Sequence, residues 1–294
     1  MKKRDGLSIV IPFHQAYSLL ERTLLAVIHD CRRQLDMPWE VILVGNESPP
    51  SVVAKLWALC AALRAHEAVR IVNRRGLLAG PFQPGAARNA GIAQAGFTRL
   101  VFLDSDCIPS SSLVHSFAEN AGRDPGAVLL GHRVFVDASR LRAACVARDR
   151  SLLDTLPVVP STSNYGQVAD RRLPELRSIE THPCPYNCLF GSNFGVHVDC
   201  LGDERFDPAF DGHWGYEDIE LGFRLYRAGG RFRYLPDAFV YHQEGPQIDQ
   251  LAREQGRRRN FRLAAQRIPG FLAMRMRSTR AGAVPDDVRA NECI

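Results

Sequence analysis

Leu100-Val101-Phe102-Leu103-Asp104-Ser105-Asp106 constrains this chain more than any other stretch. Four apolar residues of strand character run into two carboxylates one residue apart, and Cys107-Ile108-Pro109 is read as the end of the strand. A buried strand that stops in acids delivers them to the C-terminal edge of a parallel sheet, where open α/β folds bind ligands. Oxygen ligands held close together suit a hard divalent cation, Mn2+ or Mg2+, and such a cation usually carries a phosphorylated substrate. Taken alone, Asp-x-Asp describes a solvated turn equally well, so the weight falls on the rest of the chain.

The 294 residues can bury a full core, as one large α/β domain or two smaller ones. Hydrophobic residues at 46% and charged residues at 23% are ordinary globular values. The net charge is +5, and Lys2, Lys3 and Lys55 are the only lysines among 37 basic residues. Arginine is the better bidentate partner of phosphate and carboxylate, although a GC-rich genome produces the same bias and accounts for most of it. Lys2-Lys3-Arg4 ahead of Leu7-Ser8-Ile9-Val10-Ile11 has the outline of a signal peptide, but the apolar run is short and Pro12 closes it. It reads as a first strand. No stretch approaches the roughly 18 to 20 apolar residues of a membrane-spanning helix, so the eight scattered cysteines are expected as reduced thiols in a cytoplasmic protein. His182, Cys184 and Cys188 outline half a zinc site, but the second cysteine pair is missing.

In chain order, residues 7–13 form a buried strand and residues 17–34 carry Leu20, Leu24, Val27 and Ile28 at helical spacing. A strand at 40–44, a helix at 51–65 and a strand at 69–72 follow. Strand and helix alternating in this way imply right-handed crossovers and a parallel sheet. Gly76 to Gly85 is a Gly- and Pro-rich loop leading into an Ala-rich helix start at residues 86–93, where backbone N–H groups and Arg88 could attract an anion. Residues 126–136 read as one strand, 138–150 as a helical segment, and 154–186 as an irregular stretch of the kind that forms functional loops or lids.

The second informative block is Trp214-Gly215-Tyr216-Glu217-Asp218. Ile219, Leu221, Phe223, Leu225 and Tyr226 give the buried face of a helix that Gly229-Gly230 ends, so Glu217 and Asp218 fall in its first turn, where the helix dipole favours ionised carboxylates. Capping alone would explain them. A strand pair at 231–235 and 238–241 then delivers His242. The tail carries Arg253, Arg257, Arg258, Arg259, Arg262 and Arg267 among apolar residues. A solvated closing helix is the favoured reading, with peripheral contact to an anionic membrane surface as the other.

Together these blocks resemble glycosyltransferase family 2, with a galactosyltransferase-like C-terminal half, over roughly residues 7 to 243. The resemblance rests on Val10-Ile11-Pro12-Phe13, a second strand reaching Ser48, Gly85-x-x-Arg88-Asn89-x-Gly91, Asp104-Ser105-Asp106, Trp214 to Asp218 with Arg224-Leu225, and a final His242. It implies the GT-A type of α/β fold: a single Rossmann-like domain with a mostly parallel central sheet flanked by helices. Residues 1–125 would be the nucleotide-sugar half, 126–245 the acceptor and catalytic half, and 246–294 an Arg-rich helical extension.

The resemblance implies a metal-dependent inverting transfer from a nucleoside-diphosphate sugar, with a UDP-sugar first and GDP- or TDP-sugars behind it. Mn2+ or Mg2+ would sit on Asp106 and His242, with Asp104 holding the metal through water or the ribose. Pro12, His14, Asn46, Arg88, Asp104 and Ser105 would line the donor. Asp218 would be the base, Glu217 would orient the acceptor and Trp214 would offer it a flat apolar face. The acceptor is expected to be a small molecule, glycan or peptide, and nucleic acid is not an expected partner. One departure stands out: Gly45-Asn46-Glu47-Ser48 replaces the Asp-Asp-Gly-Ser type of turn in which an acid reads the base, and Asn46 can still donate and accept hydrogen bonds. The rival readings are a sugar-1-phosphate nucleotidyltransferase, which lacks its basic phosphate loop here, and a non-catalytic nucleotide-sugar-binding module on the same fold.

Overall fold

The structure, a computed structural model, describes residues 3–76, 80, 82–161, 164, 166–244 and 250–272. Residues 77–79 and 81 of the Gly/Pro-rich loop and residues 273–294 of the tail lie outside the described residues.

The first half alternates as predicted: β1 (Arg4–Phe13), α1 (Tyr17–Gln34), β2 (Trp39–Asn46), α2 (Pro50–Ala62), β3 (Val69–Arg74), α3 (Pro84–Gln94) and β4 (Phe97–Leu103). β3, β2, β1 and β4 pair side by side and all run parallel. The period of two along a strand explains why both faces are apolar. Leu7, Ile9 and Ile11 meet Leu20, Leu24 and Val27 on one side, whereas Val10 meets Ala87 and Ile92 on the other.

Beyond β4 the chain forms β5 (Cys107–Pro109), α4 (Leu113–Arg123), β6 (Ala127–Leu130), β7 (Arg133–Val136), the short helices α5 (Ala143–Arg148), α6 (Ser151–Asp154) and α7 (Leu173–Leu176), then β8 (Asn193–His197) and α8 (Val198–Leu201). α9 (Glu217–Arg227), β9 (Arg231–Tyr234), β10 (Val240–Gln243) and α10 (Gln250–Arg267) complete it. The main sheet has the order β3-β2-β1-β4-β8-β6-β9, and in it β8 alone runs against the other described strands. A second sheet has the order β5-β10-β7.

The expected strand over 126–136 is therefore two strands in two sheets. The break falls at Gly131, where any Cβ would collide with the Ala238 carbonyl and the Asn193 side-chain amide. The expected pair at 231–241 is also divided: β9 pairs with β6, and β10 lies between β5 and β7. Cys107–Pro109 does not merely end β4 but turns off it to become β5, antiparallel to β10. The helical segment at 138–150 shortens to α5.

On α9, Ile219, Leu221 and Leu225 are buried as expected, but Tyr226 is 40% exposed. Nor does α10 stand off as a solvated closing helix. Phe261, Ala264 and Ile268, with Phe271 beyond its end, join the core cluster that contains Tyr216 and Ile219. Full burial of each larger side chain contributes roughly 1.5–3 kcal/mol, ample to dock the helix. Several of its arginines are engaged by the chain itself, including Arg257 and Arg258 with Glu254 and Arg267 with Asp207. Among the described residues no helix is long and apolar enough to cross a membrane.

Gly131→Ala should lower the unfolding free energy by about 1–3 kcal/mol or more, because backbone must move to admit the methyl. A urea titration with an unchanged slope and a lower midpoint is the expected record.

Candidate active site

β4 ends at Leu103, and Asp104-Ser105-Asp106 forms the turn from the main sheet into the second. The Gln243 N–H donates to the Asp106 carbonyl at 2.9 Å, which ties this turn to β10 beside His242. As a result Asp106 Oδ2 and His242 Nε2 lie 3.7 Å apart, and the other ring nitrogen, Nδ1, is 3.4 Å from Glu244 Oε1. Strand alternation puts Glu244 on the same side as His242, an i, i+2 relation that the sequence reading overlooked.

Asp106, His242 and Cys107 form a group whose ligand atoms lie within 4.8 Å of one another. Burial works to lower His242, but the facing Asp106 and the Glu244 contact outweigh it and hold the ring above its ordinary value. Burial raises Asp106, with His242 opposing the shift. Burial and the neighbouring Asp106 push the Cys107 thiol well up, so it stays protonated, and a soft, protonated sulfur is a poor partner for Mn2+ or Mg2+. The Asp106 carboxylate and the His242 imidazole fit such an ion without it. His182, Cys184 and Cys188 do not gather into a ligand group among the described residues.

Beside this pair lies a second cluster, centred on Arg88 of α3. Only 3% of its side chain is exposed, yet it meets Asp104 (Nη2 to Oδ1, 2.7 Å) and Glu217 (Nη1 to Oε1, 3.2 Å). Asp218 completes the acidic group: its Oδ2 accepts from the Gly191 N–H at 2.9 Å and its Oδ1 from the Ile219 N–H at 2.8 Å. Gly191 is required here because a Cβ would strike the Arg88 guanidinium. One cation among three acids leaves a deficit of positive charge. Burial first, and then the adjacent Asp218, push Glu217 up to about 7 against the pull of Arg88. Burial also raises Asp218, opposed by the Gly191 N–H and Arg88. Arg88 itself overcomes its own burial through the three acids and stays charged. Arg88 thus turns inward to Asp104 and Glu217, and Asp104, bonded to it, stands outside the group of Asp106, Cys107 and His242.

At the ends of β1 and β2, His14 Nδ1 is 2.7 Å from the Asn46 carbonyl oxygen. The Asn46 side chain is buried and occupied at both ends: Nδ2 donates to the Gln83 carbonyl at 3.0 Å, and Oδ1 accepts from Arg74 Nη1 at 2.8 Å. Pro12 and Ser105 are half-buried. The sequence reading missed Arg74 and Gln83, for a long-range pair at a strand end leaves no local pattern.

Trp214 is half-buried in the loop before α9, with the Arg253 guanidinium 4.0 Å from its ring centroid. Tyr216 takes a left-handed φ of 71° and leads directly into Glu217 and Asp218. α10, read from sequence as an appendage, borders this loop.

The comparisons with known proteins bear on the family and the fold. The sequence model of Glycosyl transferase family 2 matches residues 8–156, and the chain belongs to that family. Its class is therefore that of the glycosyltransferases. The chain is 26% identical over 280 residues to a chondroitin synthase of Pasteurella multocida (strain Pm70), covering 92% of this chain and 28% of that protein. It is 28% identical over 232 residues to validoxylamine A glucosyltransferase of Streptomyces hygroscopicus subsp. jinggangensis (strain 5008), covering 76% of this chain and 52% of that one. The chain spans between 27% and 39% of the length of the chondroitin and hyaluronan synthases it matches. Among solved structures, S. aureus TarS 1-349 superposes with a TM-score of 0.56 at 17% identity over 89% of this chain and 65% of that one. The mannosyltransferase PcManGT from Pyrobaculum calidifontis, in complex with GDP-Man and Mn2+, gives 0.55 at 15% over 97% and 67%. The fold is GT-A.

Because the folded pKa of Glu217 lies above its ordinary 4.5, its stability contribution is full below that value and is lost as the pH rises through about 7. Between pH 5 and 8 the unfolding free energy should fall by up to about 3 kcal/mol more in the parent than in Glu217→Gln. Chemical denaturation at a series of pH values measures the difference; parallel curves would remove Glu217 as the strained member of the cluster.

Proposed function

We propose that this chain transfers a sugar from a nucleoside-diphosphate sugar, first of all a UDP-sugar, to an acceptor hydroxyl with inversion at the anomeric carbon. The observation that carries the proposal is a juxtaposition at the C-terminal end of β4: a hard-ligand pair, Asp106 and His242, next to the buried Glu217 and the half-buried Asp104 and Asp218 around the buried Arg88. A solved relative is complexed with UDP and Mn2+ and another with GDP-Man and Mn2+, which supports the donor class.

Asp106 and His242 would hold Mn2+ or Mg2+, which when bound supplies Lewis-acid neutralisation of the departing diphosphate. Pro12, His14, Asn46 and Ser105 would border the nucleotide, with His14 and the Asn46 turn nearest the base. Asp104 would serve the ribose while paired to Arg88. In an inverting displacement the acceptor proton must leave on the face away from the diphosphate, and Asp218 would take it. The Gly191 N–H fixes one of its oxygens, so the carboxylate is aimed, while burial keeps it basic enough to act. Glu217 would orient the acceptor, and Trp214 would offer its ring. The names of the chondroitin and hyaluronan synthases favour a glycan acceptor over a small molecule or peptide. The seven cysteines among the described residues are all free, in keeping with a cytoplasmic setting.

Calorimetric titration with UDP, GDP, TDP and CDP, each with Mn2+ and with EDTA, tests the donor reading; tight binding of one nucleotide only with metal is expected. Asp106→Ala should abolish that binding. Asp218→Asn should bind within about twofold of the parent and lose transfer by roughly 10²-fold or more. Equal loss of nucleotide affinity in both variants would overturn the division of roles.

A further inference from the structure

We infer that Asn260, on the C-terminal helix α10, is a positioning residue for the transfer step: it holds the backbone of the loop that presents Trp214, Glu217 and Asp218. The inference rests on the proposed function for the meaning of that loop, but its geometry stands alone. Asn260 is fully buried, and its Nδ2 reaches the carbonyls of Phe210 at 3.1 Å, His213 at 3.2 Å and Gly215 at 3.0 Å. An amide nitrogen has two hydrogens, so three carbonyls share them and neither hydrogen is left over. The amide oxygen accepts from Arg259 Nη1 at 2.8 Å, and that nitrogen also donates to the Ala209 carbonyl at 2.8 Å. Every one of these carbonyls belongs to the stretch from Ala209 to Gly215, immediately before the two acids.

Further features of α10 and the segment just after it serve the same stretch. Gly256 lies where a Cβ would come within 3.0 Å of the Trp214 backbone nitrogen, so the helix is able to approach the loop closely. Phe261 and Phe271 pack edge-on against Tyr216, with ring centroids 5.7 and 5.8 Å away. Tyr216 is the residue with φ 71°, uncommon for a bulky side chain. A backbone in that conformation persists only where its surroundings over-determine it, and Phe261 of α10 and Phe271 just beyond it are part of those surroundings. The helix lies outside residues 8–156, the part matched by the family model.

The full chain carries the test in three variants. Asn260→Asp keeps the size of the side chain but replaces the shared donor with an acceptor. Ile268→Val trims the buried face of the same region while leaving the Asn260 amide and its carbonyl partners in place. Asp218→Asn reports on the base. The readouts are UDP affinity in Mn2+, the rate of UDP release from UDP-sugars with water as acceptor, and hydrogen exchange at the amides of residues 211–217. Asn260→Asp should bind UDP within twofold of the parent, exchange at least tenfold faster in the loop and release UDP at least tenfold more slowly. Ile268→Val should melt earlier with loop exchange and rate within twofold of the parent. Unchanged loop exchange in Asn260→Asp, or a loss of UDP affinity matching its loss of rate, would overturn the inference. A parent-like rate in Asp218→Asn would instead overturn the base assignment, and the exchange result would still decide the case of Asn260.

Discussion

A single buried guanidinium, Arg88, joins the two halves of this chain. It leaves α3, pairs with Asp104 at the end of β4 and with Glu217 at the start of α9, and lies over the Phe206 ring at 5.4 Å. Ion pairs this deep are poor sources of net stability, because desolvation offsets most of the attraction. Their value is geometric: removing any partner strands a charge in the interior, so the three elements must come together in one arrangement. The same burial that locks the cluster is the first cause that holds Glu217 and Asp218 above their ordinary values, with the neighbouring acids adding to it. A carboxylate so placed is a better proton acceptor than one in water, and the structural lock and the chemical property have one cause.

The second sheet is what brings His242 to the acids. Had residues 126–136 continued as one strand, β10 would have had no partner on that side. The bend at Gly131 moves β7 out of the main sheet, and β10 then runs between β7 and β5 with His242 opposite Cys107 and Phe135. Asp106 sits one residue before β5, so the register that pairs the strands also sets the spacing of the two candidate ligands. Glu244, two residues on, lies 3.4 Å from the remaining ring nitrogen, and the other is 3.7 Å from Asp106.

Those details show what could be read from the residues and what could not. The parallel half was readable because its strands are continuous apolar runs buried on both faces and its helices repeat at their own period. The acids at 104, 106, 217 and 218 were readable because they end a strand or open a helix, which are local features. The division into two sheets was not, since it depends on the room around Gly131, made by Asn193 and Ala238 far along the chain. Gly191 as partner of Asp218, Arg74 as partner of Asn46 and Asn260 as clamp of the acceptor loop are likewise contacts between distant segments. The arginines of α10 misled in the other direction, for their number concealed the buried row of Phe261, Ala264 and Ile268.

The turn after β2 departs from the family pattern, and its packing bears on whether the site has decayed. Gly45 stands where an acid is usual, and a Cβ there would meet Asn73 Oδ1 and Ser48 Oγ. Asn73 in turn bonds Ser48 through both its amide atoms. Asn46 has a neutral amide, with its oxygen on Arg74 and its nitrogen on the Gln83 carbonyl. Glu47, where glycine is usual, keeps a left-handed φ of 51°. A site losing its function accumulates unpaired polar groups and cavities; in this turn each departure has a fitted partner, and the backbone path survives the loss of its glycine. A turn rebuilt in this way is a packed, ordered feature and not the remnant of a lost one.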